Sequence, residues 1–149
     1  MKAPRSAALV IGYFACLCGC GQHPVKITGT MTLDGAPLKL ASGECVHMSF
    51  LLLEVKPGEE MCQFSAEVNA GQGIFAVKGP SGSGIPQGRY RVCLQITRNR
   101  EDILNGCYNS SDSPMTCEVS KKQRHFDLAF ITPTVSVRKK KGFIRTQDD

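Results

Sequence analysis

The sequence predicts an all-β protein, a single seven-stranded β-sandwich that follows a cleaved N-terminal signal. Three observations support this. Short segments alternate apolar with polar residues, turn-forming glycine, proline and aspartate separate the segments, and no segment keeps an apolar repeat of 3.6 residues. A chain of 149 residues fits one domain. Short strands at this spacing are typical of a sandwich.

The clearest strand is predicted at residues 90–96, where every second residue is large and apolar. The same alternation predicts six further strands, at residues 25–31, 46–52, 62–68, 75–77, 115–119 and 126–130. In this register Phe50 and Tyr90 face the core. Asp34-Gly35 and Pro86-Gln87-Gly88 have turn chemistry that fixes strand register, because glycine accepts a positive φ and proline presets φ.

Two stretches between the strands are predicted as loops. Residues 79–88 are rich in glycine, serine and proline, which favours a flexible connection. Residues 99–114 predict a long polar loop that includes a helical turn at residues 101–104. The sandwich domain is therefore expected to span residues 25–131.

The N-terminus has the features of an export signal. Lys2 and Arg5 precede an uncharged apolar stretch at residues 7–17, too short to span a bilayer. The stretch ends in Leu17-Cys18-Gly19-Cys20, which resembles the bacterial lipobox: an aliphatic residue, a small residue before the cleavage point, and the cysteine that receives lipid. The alternatives are a plain signal peptide cut nearby and an uncleaved buried helix. We therefore predict a lipoprotein signal at residues 1–19.

Lipid on Cys20 predicts where the protein resides. Several acyl chains on one residue anchor a protein stably, and residues 20–24 would form a short tether. The expected protein is an exported, membrane-anchored lipoprotein that faces the periplasm or the cell exterior. Gly21 follows Cys20, which resembles lipoproteins sent on to the outer membrane, so that membrane is favoured over the inner one.

The positive charge of the chain is concentrated at its ends. The formal net charge is +5. Two of the 18 basic residues lie in the signal, and residues 132–149 form a basic tail that carries Arg138, Lys139, Lys140, Lys141 and Arg145. The remaining body is neutral, so it has no field to attract a nucleic acid. The tail is predicted as a disordered, solvated end; the alternative is that its cations contact anionic lipid or a wall polymer.

Five cysteines remain beyond Cys20, namely Cys45, Cys62, Cys93, Cys107 and Cys117. Disulfides persist in exported proteins, and five thiols leave at least one unpaired. Cys62 and Cys117 fall on inward positions of their predicted strands, and Cys45 and Cys93 fall on outward positions. Cys107 lies in a loop. The inward cysteines are equally compatible with simple apolar packing.

The sequence predicts no cofactor, metal site or catalytic centre. Cys45-Val46-His47 places two metal-binding side chains on one strand face, but further ligands are only candidates: His125, Cys93 or His23. Neither CxxC nor HxxxH spacing is present. The Gly79-to-Gly84 loop is not a phosphate loop, since Ile85 stands where the lysine belongs, and it is not a nucleophile elbow.

Several short motifs, taken in order, resemble a known family. These are Thr32-Leu33-Asp34-Gly35-Ala36-Pro37-Leu38, then Phe50, then Gly73-Ile74-Phe75, then Ile85-Pro86-Gln87-Gly88-Arg89-Tyr90-Arg91-Val92, and the stretch from Tyr108 to Val119. They resemble small secreted lipoproteins of planctomycete-type bacteria, whose domains look like carboxypeptidase-regulatory or transthyretin-like β-sandwiches. The resemblance covers residues 25–130. It implies the fold and says little about function.

The chain departs from this family in two respects, and one activity of the transthyretin-like fold is not expected of it. Leu51-Leu52-Leu53 stands where the family usually has a proline, and the family is usually poor in cysteine. The transthyretin-like fold also hosts a hydrolase of purine breakdown that ends in Tyr-Arg-Gly-Ser. Here the chain ends in Ile144-Arg145-Thr146-Gln147-Asp148-Asp149, so that activity is not expected.

The expected function is a non-catalytic structural or interaction role at the cell envelope, with an envelope protein or polymer as partner. The alternative is the binding of a small ligand or glycan through loops at one end of the sandwich. An enzyme is less favoured, because no set of nucleophile, base and orienting group emerges from the sequence.

Overall fold

The computed structural model describes residues 23–55, 58 and 61–134. Cys20, the signal peptide and the five basic residues of the tail lie outside this range. Ten β-strands occur in the described residues: β1 (Ile27–Leu33), β2 (Ala36–Pro37), β3 (Glu44–Leu52), β4 (Gln63–Ser65), β5 (Glu67–Asn69), β6 (Ile74–Val77), β7 (Gly88–Arg98), β8 (Glu101–Asp102), β9 (Thr116–Val119) and β10 (His125–Phe130). Within the same residues no helix is long and apolar enough to cross a bilayer.

The strands form two sheets, so the prediction of an all-β sandwich architecture is confirmed. The first sheet has the order β10-β1-β6-β5, with β2 also paired to β1. The second has the order β4-β3-β7-β8, with β9 also paired to β7. All pairings are antiparallel except that of β1 with β10, which is parallel.

The core lies between the two sheets and is filled by the apolar positions of the alternating strands. Phe50 and Tyr90 are fully buried, as predicted. Their rings meet edge to face at a centroid separation of 6.4 Å, and Phe75 lies 5.8 Å from Phe50. The Tyr90 hydroxyl donates a 2.8 Å hydrogen bond to the Pro86 carbonyl, so its polar end is satisfied although the ring is buried.

Gly29 allows the first sheet to close tightly. It lies in the middle of β1, between Phe75 of β6 and Phe126 of β10. A Cβ atom here would lie 2.0 Å from the Phe126 carbonyl oxygen and 2.6 Å from the Phe75 ring. Only glycine leaves room for the Phe75 ring to cross this strand.

The predicted strand at residues 62–68 is divided between the sheets. β4 pairs with β3, and the Ala66 amide still donates to the Met48 carbonyl at 2.9 Å. β5 then pairs with β6 of the other sheet. This division, together with the two-residue strands β2 and β8, accounts for the difference between seven predicted strands and the ten described.

The predicted helical turn at residues 101–104 is not formed. Arg98 pairs with Glu101, and Asn99 and Arg100 both have positive φ, which makes a two-residue hairpin between β7 and β8. Successive reverse turns follow β8, with Leu104 fully buried beneath them. Burial of Leu104 and the pairing of β7 with β8 stabilise this conformation more than the helical turn that the local sequence favours.

The end of β10 is held by two side chains. The Asp34 carboxylate accepts hydrogen bonds from the Thr132 amide at 2.8 Å and the Thr132 hydroxyl at 2.6 Å. These hydrogen bonds hold the pKa of Asp34 below its ordinary value, and the bond from the Thr132 hydroxyl has the larger effect. The Tyr108 hydroxyl donates to the Ile131 carbonyl and accepts from the Ile131 amide. These contacts fix where the chain leaves the sandwich.

Replacing Phe50 with alanine should lower the free energy of unfolding by ~3–5 kcal/mol, because it leaves a cavity beside the rings of Phe75 and Tyr90. Chemical denaturation measures this. Met61→Ala is the control, since Met61 is 70% exposed and its truncation should change stability by less than ~0.5 kcal/mol. Equal effects of the two substitutions would contradict this core.

Candidate functional site

The second sheet carries a trough on the face that points away from the core. Its floor consists of three cross-strand pairs between β3 and β7: His47 with Gln95, Ser49 with Cys93, and Leu51 with Arg91. These residues occupy the outward positions of both strands, and none belongs to the core cluster. We call this feature the outer trough.

The outer trough has a wall on each side. Gln63 of β4 forms one wall, and residues 106–111 form the other. Two cavities of about 250 Å³ and about 580 Å³ lie along the floor and share Gln63 and Ser110 in their linings. They are therefore adjoining parts of one concave surface, in the size range of ligand sites.

The wall at residues 106–111 is built by short polar contacts. Asp102 accepts hydrogen bonds from the Leu104 and Gly106 amides at 3.0 and 2.9 Å. The Asn109 side-chain carbonyl accepts from the amides of Ser111 and Asp112 at 2.8 and 2.7 Å. Asp and Asn side chains stabilise turns in this way, so the wall has a defined shape despite its irregular backbone.

A hydrogen-bonded chain crosses the trough floor. The Gln63 amide nitrogen donates to the Ser49 hydroxyl at 2.7 Å. The Ser49 hydroxyl is itself hydrogen-bonded to the Cys93 sulfur. Ser49 is 1% exposed and Cys93 is 8% exposed, so the chain ends in a buried thiol. This arrangement orients Cys93 but gives it no general base.

The thiols of Cys93 and Cys117 are poor nucleophiles. Burial raises the pKa of the Cys93 thiol, and this outweighs the opposing effects of the Ser49 hydrogen bond and the Arg91 charge. Burial raises the pKa of Cys117 to about 12. The reactive form of cysteine is the thiolate, so both side chains remain protonated and unreactive at neutral pH.

Arg91 is the one cation on the trough floor. Its Nη1 atom donates hydrogen bonds of 2.7 and 2.9 Å to the carbonyl oxygens of Ser110 and Ser111. Its Nε atom is buried and has no hydrogen-bond partner. None of the ion pairs found among the described residues includes Arg91. The guanidinium therefore fastens one wall and keeps part of its donor capacity unused.

The trough changes from polar to apolar along its length. The smaller cavity is lined by His47, Gln95 and Asn109, among others. The larger one is lined by apolar side chains at residues 51–53 and by Val55 and Met61. Met61 is a large apolar side chain left exposed at the rim. The larger cavity is therefore the apolar end of the trough.

The structure corrects one prediction about the cysteines. Cys62 was expected to face inward, but it is exposed, because it precedes β4 at the end of the sheet. Cys93 does lie on the outward face but is buried, because the trough residues cover it. Cys117 is partly buried, and Cys45 and Cys107 are exposed.

Strand register excludes two disulfide pairings. Cys93 is opposite Ser49, four residues from Cys45, which separates the two Cα atoms by ~14 Å. Cys62 and Cys117 lie three strand spacings apart. The Cys62 carbonyl accepts a hydrogen bond from the Leu52 amide, Leu52 pairs with Tyr90, and Tyr90 pairs with Cys117. Three strand spacings again give ~14 Å. Disulfides require Cα separations below ~7 Å. In this structure Cys45, Cys93, Cys107 and Cys117 are free thiols.

The candidate metal ligands are scattered. Cys45 and His47 share the outward face of β3, but His125 lies on β10 of the other sheet. In the part of the chain that the structure describes, no group of three or more His, Cys, Asp or Glu side chains is arranged to hold a metal ion.

The other sheet has a concavity of about 440 Å³ on its outer face. The hydroxyls of Thr28 and Thr30 lie there and are hydrogen-bonded to His125 and Asp127 of β10. Ile74 is 42% exposed in the same lining. Because these polar groups already satisfy one another, this surface offers fewer unused donors than the outer trough.

Sequence reasoning did not find the outer trough. Arg91 follows the inward Tyr90 in its predicted strand, which implies the outward face, but no role was predicted for it. One usable signal was the run Leu51-Leu52-Leu53, which puts an apolar residue at an outward position. The wall at residues 106–111 gave no signal, because its position depends on turns that follow an unexpected hairpin.

Comparison of the chain with protein-family models, with curated proteins and with solved structures gave no significant match.

Alkylation of the native protein at pH 8 should modify Cys45 and Cys107 at least ~10-fold faster than Cys93 and Cys117, because burial shields the latter pair and raises their pKa values. Mass spectrometry of peptides measures the rates. In urea the four thiols should react at similar rates. If Cys93 is labelled as fast as Cys45 in the native protein, that result would contradict the burial of Cys93 behind Ser49 and Gln63.

Proposed function

We propose that the protein is a lipid-anchored, non-catalytic binding module of the cell envelope. Its sandwich is of the carboxypeptidase-regulatory or transthyretin-like type, and it engages its partner through the outer trough. The single observation that carries this proposal is the trough itself, with an arginine that forms no ion pair among the described residues and with an exposed apolar rim. A concave surface of this size that combines apolar with polar side chains is typical of a binding site.

The chemistry of the trough supports binding over catalysis. Cys93 has the pKa of its thiol raised by burial, and Ser49 is held between Gln63 and Cys93. No hydrogen bond found in the described residues joins His47 to either of these side chains. A nucleophile needs an adjacent base or a lowered pKa, and both are lacking here.

The trough also changes the expected mode of binding. Loops at one end of the sandwich were the alternative predicted from the sequence. Here the concave surface lies across the outer face of a sheet, and only one of its two walls, at residues 106–111, is a loop. A floor of paired strands holds side chains more rigidly than a cluster of loops, which favours selective binding.

The strand order suits a module that acts between two surfaces. Parallel pairing of β1 and β10 puts Thr28 beside His125 and Leu33 beside Phe130. The chain therefore enters the sandwich at one end and leaves it ~20 Å away, at the other. A lipid on Cys20 would hold the first end at the membrane, and the basic tail would start from the far end.

Replacing Cys20 with serine should abolish fatty-acid labelling and release the protein from membranes, because the acyl acceptor is lost. Metabolic labelling and fractionation measure both effects. Cys45→Ser is the matched control and should leave labelling unchanged. A mature N-terminus other than Cys20 would contradict the lipoprotein assignment.

Filling the trough should block partner binding while leaving the fold intact. Ser110 is exposed and lines both cavities, so Ser110→Trp would occupy the trough. Ala129→Trp is the control, on the exposed outer face of β10. After cross-linking in intact cells, we expect Ser110→Trp to retain less than a fifth of the partner held by wild type, and Ala129→Trp to retain it all. Equal capture by both variants would contradict the role of the trough.

A further inference from the structure

We propose that two copies of this chain associate through the edge of β10 that faces away from β1, so that the first sheet continues across a two-fold axis at Leu128. The inference concerns a surface other than the outer trough and goes beyond the proposed binding function. It rests on the hydrogen bonds that β10 makes and on the backbone groups that those bonds leave over.

Among the strands that the structure describes, β10 is the longest at a sheet edge, with six residues against two to four in β4, β5, β8 and β9. Alternate residues of this segment bond to β1. The Thr28 amide donates to the Arg124 carbonyl, and the Asp34 amide donates to the Phe130 carbonyl. The backbone groups that point away from β1 are therefore those of His125, Asp127, Ala129 and Ile131. A row of such groups is a template for another strand.

Side chains close both ends of this row and leave its middle open. The Gln123 amide nitrogen donates to the His125 carbonyl at 2.9 Å. The Tyr108 hydroxyl donates to the Ile131 carbonyl and accepts from the Ile131 amide. No hydrogen bond to the backbone N–H or C=O of the residues at 127 and 129 is found in the part of the chain that the structure describes. We call these two residues, which are both exposed, the β10 window.

The β10 window is complementary to itself. In an antiparallel pair centred on Leu128, Asp127 of each copy lies opposite Ala129 of the other copy. Each of these two residue pairs exchanges two N–H···O bonds, so four bonds use every backbone N–H and C=O of both windows. A contact of this kind places the same patch on both subunits and closes with two copies.

The other two-fold register, centred on Asp127, is less favourable. It would place the two Asp127 carboxylates directly opposite each other, and like charges destabilise a cross-strand pair. It would also require the His125 carbonyl, which Gln123 already occupies. In the register centred on Leu128, the side chains that meet on the inner face are all apolar, because this face of β10 carries Phe126, Leu128 and Phe130.

Sedimentation equilibrium tests the association, on residues 20–149 with Cys20→Ser to exclude lipid. We expect a monomer–dimer equilibrium with a Kd below ~1 mM, since a small interface binds weakly. Ala129→Pro removes an N–H that faces the second copy rather than β1, and proline is tolerated at such edge positions. It removes two of the four bonds and should weaken dimerisation at least about tenfold.

The matched control is Ser65→Pro at the edge of β4. The Leu52 amide donates to the Cys62 carbonyl, and the Ala66 amide donates to the Met48 carbonyl. The Ser65 amide therefore also points away from its neighbouring strand β3. Ser65→Pro makes the same substitution at the edge of the other sheet and should leave dimerisation unchanged.

Two charge variants test the register without removing a hydrogen bond. Ala129 is exposed on the outer face of β10, so neither variant alters the core. Ala129→Lys puts a cation opposite Asp127 of the second copy and should lower the Kd about fivefold, whereas Ala129→Asp puts like charges there and should raise the Kd about fivefold. In the register centred on Asp127, residue 129 would lie opposite His125, and aspartate would not weaken the pair.

Three results would overturn the proposal: no dimer at ~1 mM protein, equal dimerisation by wild type and Ala129→Pro, or equal dimerisation by Ala129→Lys and Ala129→Asp. Circular dichroism checks the fold of each variant, and the two charge variants decide if Ala129→Pro does not fold. Residues 135–149 of the same chain are the competing occupant of the β10 window. If the full chain is monomeric and truncation after Thr134 makes it dimerise, the tail fills the window and the proposal is wrong.

Discussion

The pairing of β3 with β7 is the constraint on which both the core and the candidate site depend. These strands form nine cross-strand residue pairs, from Glu44 with Arg98 to Leu52 with Tyr90. One face of the pairing buries Phe50 and Tyr90, and the other carries the trough floor. A slip of one residue would exchange the faces and drive a guanidinium into the core, at a large cost in desolvation. The register that packs the aromatic cluster is therefore also the register that builds the trough.

The sequence predicted what local patterning controls. Alternation with period two located most strands and the inward positions of Phe50 and Tyr90, because each side chain's face follows from its neighbours. It did not predict which sheet a strand joins. The segment at residues 62–68 reads as one strand, yet Ala66 is the point where it crosses from one sheet to the other. Only long-range pairing decides this.

The candidate site was missed because it is assembled from distant parts of the chain. Its wall depends on a hairpin at Asn99-Arg100, and arginine is rare at a positive φ, so no turn motif marked it. Cys93 lies outward in its strand, but it is buried by residues that its local pattern does not contain. At this face the environments of residues differ from those that the local sequence predicts. Such differences are expected at functional sites.

Arg91 shows that disagreement most clearly. A lysine could donate to the carbonyl oxygens of Ser110 and Ser111, and it would leave no planar nitrogen behind. Arginine fastens the same wall but buries Nε without a partner, which costs free energy. That cost is not needed to hold the wall. What arginine supplies is one Nη1 atom that donates to two carbonyl oxygens, those of Ser110 and Ser111, from a position on β7. A single side chain on the trough floor therefore ties two successive residues of the wall to the sheet.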